Sequence, residues 1–205
     1  MSYKLLGLDM RLVKPYVKST MLLIFIAGPV FAFAMKSIEM MVMYIGLSAI
    51  MALGYPFTVA ENKNGHLLYD VLPVSKKQVV LGRYLYVVAL AAIAAVIMAG
   101  MSLLMMAILG QAFTLGSLLN NVAILAAALF VIAAYQLPLF FKMGYMKARI
   151  WSYAPFMFLG ALGTLLPQVV ELDLGWIINI SPAFYLLAAC ALLAVSYLIS
   201  CKIYK

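Results

Sequence analysis

Glu61, Lys63, His66, Asp70, Lys76, Lys77 and Arg83 fall within one stretch, 61–83, and His66 is the only histidine of the chain. Acids, bases and an imidazole so close together raise acid–base or metal chemistry first, and the spacing supports neither. Zinc sites take several His or Cys ligands, and neither a His-Glu-x-x-His pattern nor a cysteine–histidine cluster is present. No Gly-x-x-x-x-Gly-Lys-Ser/Thr loop is present to cradle phosphates. A lone His66 has no nucleophile beside it to form a dyad and reads as a solvated or interface residue. What remains is recognition. Leu67, Leu68, Tyr69, Val71 and Leu72 form an apolar run closed by Pro73. The run predicts a short amphipathic helix over 64–72. Ser75-Lys76-Lys77-Gln78 is a capping box, in which serine and glutamine each satisfy a backbone N–H at a helix start. A new helix therefore begins at Ser75 and runs directly into apolar sequence.

The elements around this stretch belong in a bilayer. Of the 205 residues 68% are hydrophobic and 10% charged, with mean hydropathy +1.13, which no soluble globular domain matches. The fold class is all-α, a polytopic membrane helix bundle. A net charge of +8 raises nucleic acid as a partner, but the bases are spread over short loops, as cytoplasmic loops of membrane proteins require, and nucleic acid is rejected. Cys190 and Cys201 lie on one presumed helix, about 16 Å apart by helical rise, too far to bridge.

Residues 1–18 read as an interfacial helix. Lys4, Arg11, Lys14 and Lys18 share one face, while Leu5, Leu6, Leu12, Val13, Tyr16 and Val17 take the other. Asp9 falls among the apolar positions, where a carboxylate is costly unless paired. Either it bridges to a basic loop or partner, or the helix rolls and keeps it wet. Spans follow at about 19–35, 38–60, 84–109, 122–141, 150–168 and 183–201. The first is broken by Gly28-Pro29, and its Ala32-Phe33-Ala34 resembles a signal-peptide cleavage site. The long amphipathic stretch before it argues against cleavage. The span over 84–109 is rich in small residues (Ala89, Ala91, Ala92, Ala94, Ala95, Ala99, Gly100), which predicts close burial against its neighbours.

With the N-terminus, 61–83, 142–149 and the tail on one side, that side holds 13 of the 14 Lys and Arg residues, all but Lys36. The other side holds Lys36, Glu39, Glu171 and Asp173. This bias predicts six spans with both termini cytoplasmic. No acid lies clearly inside a span, which disfavours an ion-coupled transporter. The chain thus has a bundle and a docking stretch but no engine of its own.

Several segments together resemble the small six-span permeases of bacterial type-2 ABC exporters. They are the amphipathic opening Leu5-Leu6-Gly7-Leu8-Asp9-Met10-Arg11-Leu12-Val13-Lys14-Pro15, then Glu61-Asn62-Lys63-Asn64-Gly65, Leu68-Tyr69-Asp70-Val71-Leu72-Pro73-Val74-Ser75-Lys76-Lys77-Gln78-Val79-Val80 and Gly82-Arg83-Tyr84-Leu85. Gly82-Arg83 stands where Ser-Lys is common in that family, a change that keeps the charge. The resemblance implies a plasma-membrane, multi-pass permease. It implies a pair of permeases, either two copies or a copy and a sister chain, each docked on a separate ABC ATPase that binds ATP and magnesium. This chain itself would hold no cofactor and would not be an enzyme. The coupling helix would be about 64–72, with Leu67, Leu68, Val71 and Leu72 as its apolar knob, Tyr69 beside them, and Glu61, Lys63 and Asp70 as rim charges. Asp9, Arg11 and Lys14 would belong to the interfacial helix. Tyr44, Tyr55, Phe57 and Phe158 are candidate pathway aromatics, with packing or lipid contact as the competing role for each. Short outer loops and an aromatic, methionine-rich wall favour a hydrophobic or amphipathic cargo: a membrane-active peptide, toxin or antimicrobial first, a lipid or drug next. The reading from another class is a non-transporting scaffold, sensor or immunity protein that docks a soluble partner through 61–83.

Overall fold

The computed structural model describes residues 38–62, 75–109, 115–152 and 182–204, together with Val13, Val30 and Ala154. The described residues contain no strand. Their helices are α1 (Ile38–Leu53), α2 (Tyr55–Asn62), α3 (Lys76–Leu109), α4 (Leu115–Met143) and α5 (Pro182–Ile203), and residues 145–152 are helical as well. α3, α4 and α5 contain stretches long and apolar enough to cross a membrane: Lys76–Leu104, Gly116–Met143 and Pro182–Ile203. α4 and α5 form the most extensive pairing; α3 packs on α1, α4 and α5, and α1 also packs on α4.

The capping box at Ser75 forms as read. Ser75 N donates to Gln78 Oε1 at 3.1 Å, and Gln78 N donates to Ser75 Oγ at 3.4 Å. From there α3 runs unbroken for 34 residues, about 51 Å at 1.5 Å per residue. That exceeds the roughly 30 Å of bilayer hydrocarbon, so α3 is longer than one crossing requires. Within 61–83, residues 61–62 belong to α2 and 76–83 to α3, the latter as the capping box requires. α4 likewise begins earlier than expected, since 115–121 are helical rather than loop.

α3 packs through a seam of Val80, Tyr84, Val87, Ala91, Ala94, Met98 and Met101, all buried. The alternating spacing of three and four residues is the heptad pattern of helices that pack side by side. This corrects the expectation that the small residues as a group are buried. Ala91 and Ala94 are buried because they lie on the seam; Ala92 and Gly100 are off it and exposed. Val88, Val96, Leu103 and Leu104 face outward on the opposite side, as lipid-facing positions do.

Pro56 and Pro138 each lack an N–H, and each therefore leaves the carbonyl four residues earlier without its helical donor. The bundle supplies both donors from a neighbouring helix. The Tyr86 hydroxyl on α3 donates to Ala52 O at 3.1 Å, and Ser196 Oγ on α5 donates to Ala134 O at 2.7 Å. In hydrocarbon an unmet carbonyl costs several kcal/mol, so these two hydroxyls make the prolines tolerable. Around Pro56 the second span breaks: Gly54 is a turn between α1 and α2, and its carbonyl accepts from Phe57 N (3.1 Å), Thr58 N (3.0 Å) and Thr58 Oγ1 (3.0 Å). That span was expected as one helix over 38–60.

Candidate functional site: the basic end of the bundle

α2 ends, α3 begins, and α4 and α5 end at one face of the bundle, where ring contacts tie them together. Lys76, Lys77, Lys142, Lys147, Arg149 and Lys202 are exposed there. Arg83 is the exception. In the third turn of α3 it is 3% exposed, and its guanidinium sits 4.8 Å from the centre of the Phe57 ring. A guanidinium over an aromatic face is attracted by the ring quadrupole, more so when desolvated. Phe57 in turn packs on Phe140 at 5.1 Å and Phe141 at 5.2 Å. Phe140 packs on Tyr145 at 5.3 Å, and Phe141 on Tyr204 at 5.2 Å. This aromatic cluster joins α2, α3, α4, the 145–152 helix and the residues just past α5.

Behind it lies a directed chain of hydroxyls. Ser196 has one O–H and commits it to Ala134 O. Tyr84 must then donate to Ser196 Oγ at 2.7 Å, and Ser200 to Tyr84 at 2.8 Å. α3, α4 and α5 are thereby locked in register, and the Tyr84 ring meets Tyr197 edge-on at 5.4 Å.

The second junction is at Gly144. α4 ends there with φ of 75°, the left-handed conformation that glycine adopts without strain. The next helix starts at once, with Ala148 N bonded to Gly144 O at 3.0 Å. A helix start leaves N–H groups unmet, and a glycine there has no side chain to accept them. Glu61 supplies the acceptors from 84 residues earlier in the chain: Tyr145 N donates to its Oε1 at 2.8 Å and Met146 N to its Oε2 at 2.9 Å. A carboxylate on a helix N-terminus is also favoured by the helix dipole. Gly54 meets the same segment, because a Cβ at 54 would lie 2.6 Å from the Tyr145 ring.

Of the expected site residues, Glu61 lies at this end, bound by its own chain, and Phe57 is inside the aromatic cluster. Tyr44 and Tyr55 are half-buried on α1 and α2. Lys63, Leu67, Leu68, Tyr69, Asp70, Val71 and Leu72, with Asp9, Arg11, Lys14 and Phe158, lie outside the described residues. Ser196 and Gly144 were not singled out from sequence, and Arg83 and Tyr84 entered only as a charge of the 61–83 stretch and as part of the 82–85 motif. A proline's missing N–H marks the carbonyl four residues back as needing a donor, which was the available signal for Ser196.

The end farther from the cluster is different in kind. α4 and α5 leave a groove of about 660 Å³ between them, lined by Ile124, Ala128, Val131, Leu192, Tyr185 and Asn120 among others. Among the described residues no group of acids, histidines and cysteines is placed to hold a metal. The basic end therefore offers mechanical linkage and surface charge.

A family model described as ABC-2 family transporter protein matches residues 4–205. No curated protein and no solved structure matches the chain.

Proposed function

The chain belongs to the ABC-2 family of transporter proteins, and from that premise we propose that it is the membrane-spanning subunit of an ATP-driven exporter. The family implies an ABC ATPase as partner and a membrane-integral permease without an ATPase motif of its own. The finer reading is six spans with both termini cytoplasmic in the plasma membrane, two permeases per complex and one ATPase on each. ATP and magnesium act in the ATPase. The stretch 61–83 docks it, with Leu67, Leu68, Val71 and Leu72 as the apolar contact. The cargo is hydrophobic or amphipathic, a membrane-active peptide ahead of a lipid or drug.

The family match over nearly the whole chain carries this reading. Two further features support it. The strong bias of Lys and Arg supports a cytoplasmic basic end, on the side where ATP is found. The same end gathers the ends of four helices into one cross-linked face, a suitable receiver for a push from outside the membrane. The aromatic and methionine-rich character of the nearly uncharged spans supports the cargo class.

The test is purification of the tagged chain from its native membrane, with mass spectrometry of its companions. An ABC ATPase at about one copy per permease is the expected result. A different soluble partner in its place would favour the non-transporting scaffold and overturn the exporter.

A further inference from the structure

Two helix interruptions face each other at the basic end. One is Gly54, between α1 and α2; the other is Gly144, between α4 and the 145–152 helix. Beyond the interruptions, α2 and the 145–152 helix are joined at both ends of α2. At the first end the Tyr145 ring lies against Gly54, where no side chain would fit. At the second end Glu61 accepts the Tyr145 and Met146 N–H groups. The Phe57–Phe140–Tyr145 stack joins both to the end of α4, and the Tyr135 hydroxyl of α4 donates to Trp151 O at 3.2 Å. Gly144 matters twice here: its φ of 75° favours glycine, and a Cβ would stand 2.5 Å from Glu61 Oε1.

We propose that Glu61 is a positioning residue that straps α2 to the 145–152 helix, so that with the end of α4 packed between them they move as one block relative to the apolar seam beyond. Resting on the exporter reading, this makes the block the first body that the docked ATPase moves. Glu61 lies on α2 at the start of the docking stretch 61–83, so force on that stretch reaches it directly. The strap then delivers it to a second helix that the stretch does not continue into. Glu61 is exposed, so water competes for its carboxylate. The two backbone donors and the open helix N-terminus outweigh that competition, because hydrogen bonds to a charged group are the stronger kind.

Two measurements test this on the intact chain in lipid nanodiscs. The first is hydrogen exchange at the amides of Tyr145 and Met146. Glu61→Ala should speed their exchange by about tenfold, with the α3 seam at 87–101 unchanged, and Glu61→Gln, which keeps one amide oxygen as acceptor, should fall between. Equal protection in Glu61→Ala and the wild type overturns the strap. The second uses the co-purified ATPase complex with the non-hydrolysable ATP analogue. Spin labels replace Lys147 and Val96, both exposed, in a background of Cys190→Ser and Cys201→Ser. The distance between them should shift on nucleotide binding in the wild type, lose the shift in Glu61→Ala, and regain part of it in Glu61→Gln. An equal shift in Glu61→Ala, or none in the wild type, overturns the coupling. If no ATPase co-purifies, the exporter reading fails while the exchange measurement still decides the strap.

Discussion

The two ends of the bundle hold together by different means. At the basic end, nearly every contact is specific. Arg83 lies on Phe57, Tyr84 joins Ser196 and Ser200, Tyr86 and Ser196 meet carbonyls that prolines left open, and Glu61 caps a helix belonging to another part of the chain. Away from it, the helices meet through an apolar seam and leave a groove of about 660 Å³ between α4 and α5. A seam of apolar side chains tolerates sliding, because one methyl contact replaces another at little cost. A hydrogen-bonded collar does not slide; its donors and acceptors have one arrangement. The difference suits a machine that is gripped at one end and deforms at the other.

Substitutions sharpen or break this contrast. The largest effect is expected in the docking stretch. Leu68→Asp or Leu72→Asp should abolish coupling between the ATPase and the bundle while the permease still purifies folded, read as ATP-driven activity of the complex against melting of the permease alone. Normal transport in both variants would remove the docking assignment.

Next is Gly54→Leu, which forces a side chain against the Tyr145 ring. Overpacking of this kind costs about 1–3 kcal/mol and should appear as a fall of several degrees in the Tm of the detergent-purified chain. An unchanged Tm would mean that the collar has slack there.

Ser196→Ala removes the donor to Ala134 O and leaves the carbonyl that Pro138 uncovered unmet. A loss of about 1–2 kcal/mol is expected. Tyr84→Phe, which deletes one hydroxyl from the same chain but leaves Ser196 bonded to Ala134, should cost less, about 0.6 kcal/mol. A reversed order in the two melting curves would contradict the proton order in the hydroxyl chain. The smallest effect is expected from Ala128→Leu, which enters the groove. It should change stability by no more than about 0.5 kcal/mol; a loss as large as that of Gly54→Leu would erase the contrast between the ends.

Much of the architecture was legible in sequence because it rests on local rules. The helix starting at Ser75 follows from a four-residue capping pattern. The break at Gly54 was harder to read. Its place is set by a ring from residue 145 that fits only against a glycine. Arg83 was read only as one of the charges of the 61–83 stretch; about two turns of helix carry it under Phe57. The bonds of Glu61 were illegible for a physical reason. Its partners are backbone N–H groups, which every residue but proline carries, so no residue type at 145 or 146 signals them. The trace that did exist was Gly144, a helix start without a side-chain cap.

The most direct test of the central claim, that the basic end receives the ATPase, is site-specific photo-crosslinking in the native membrane. A photoreactive residue replaces Lys77 in one variant and Asn120 in another; both positions are exposed, the first at the basic end and the second on the groove. An adduct with an ABC ATPase at 77 and none at 120 is the predicted result. An ATPase adduct at 120, or none at 77, would contradict the account.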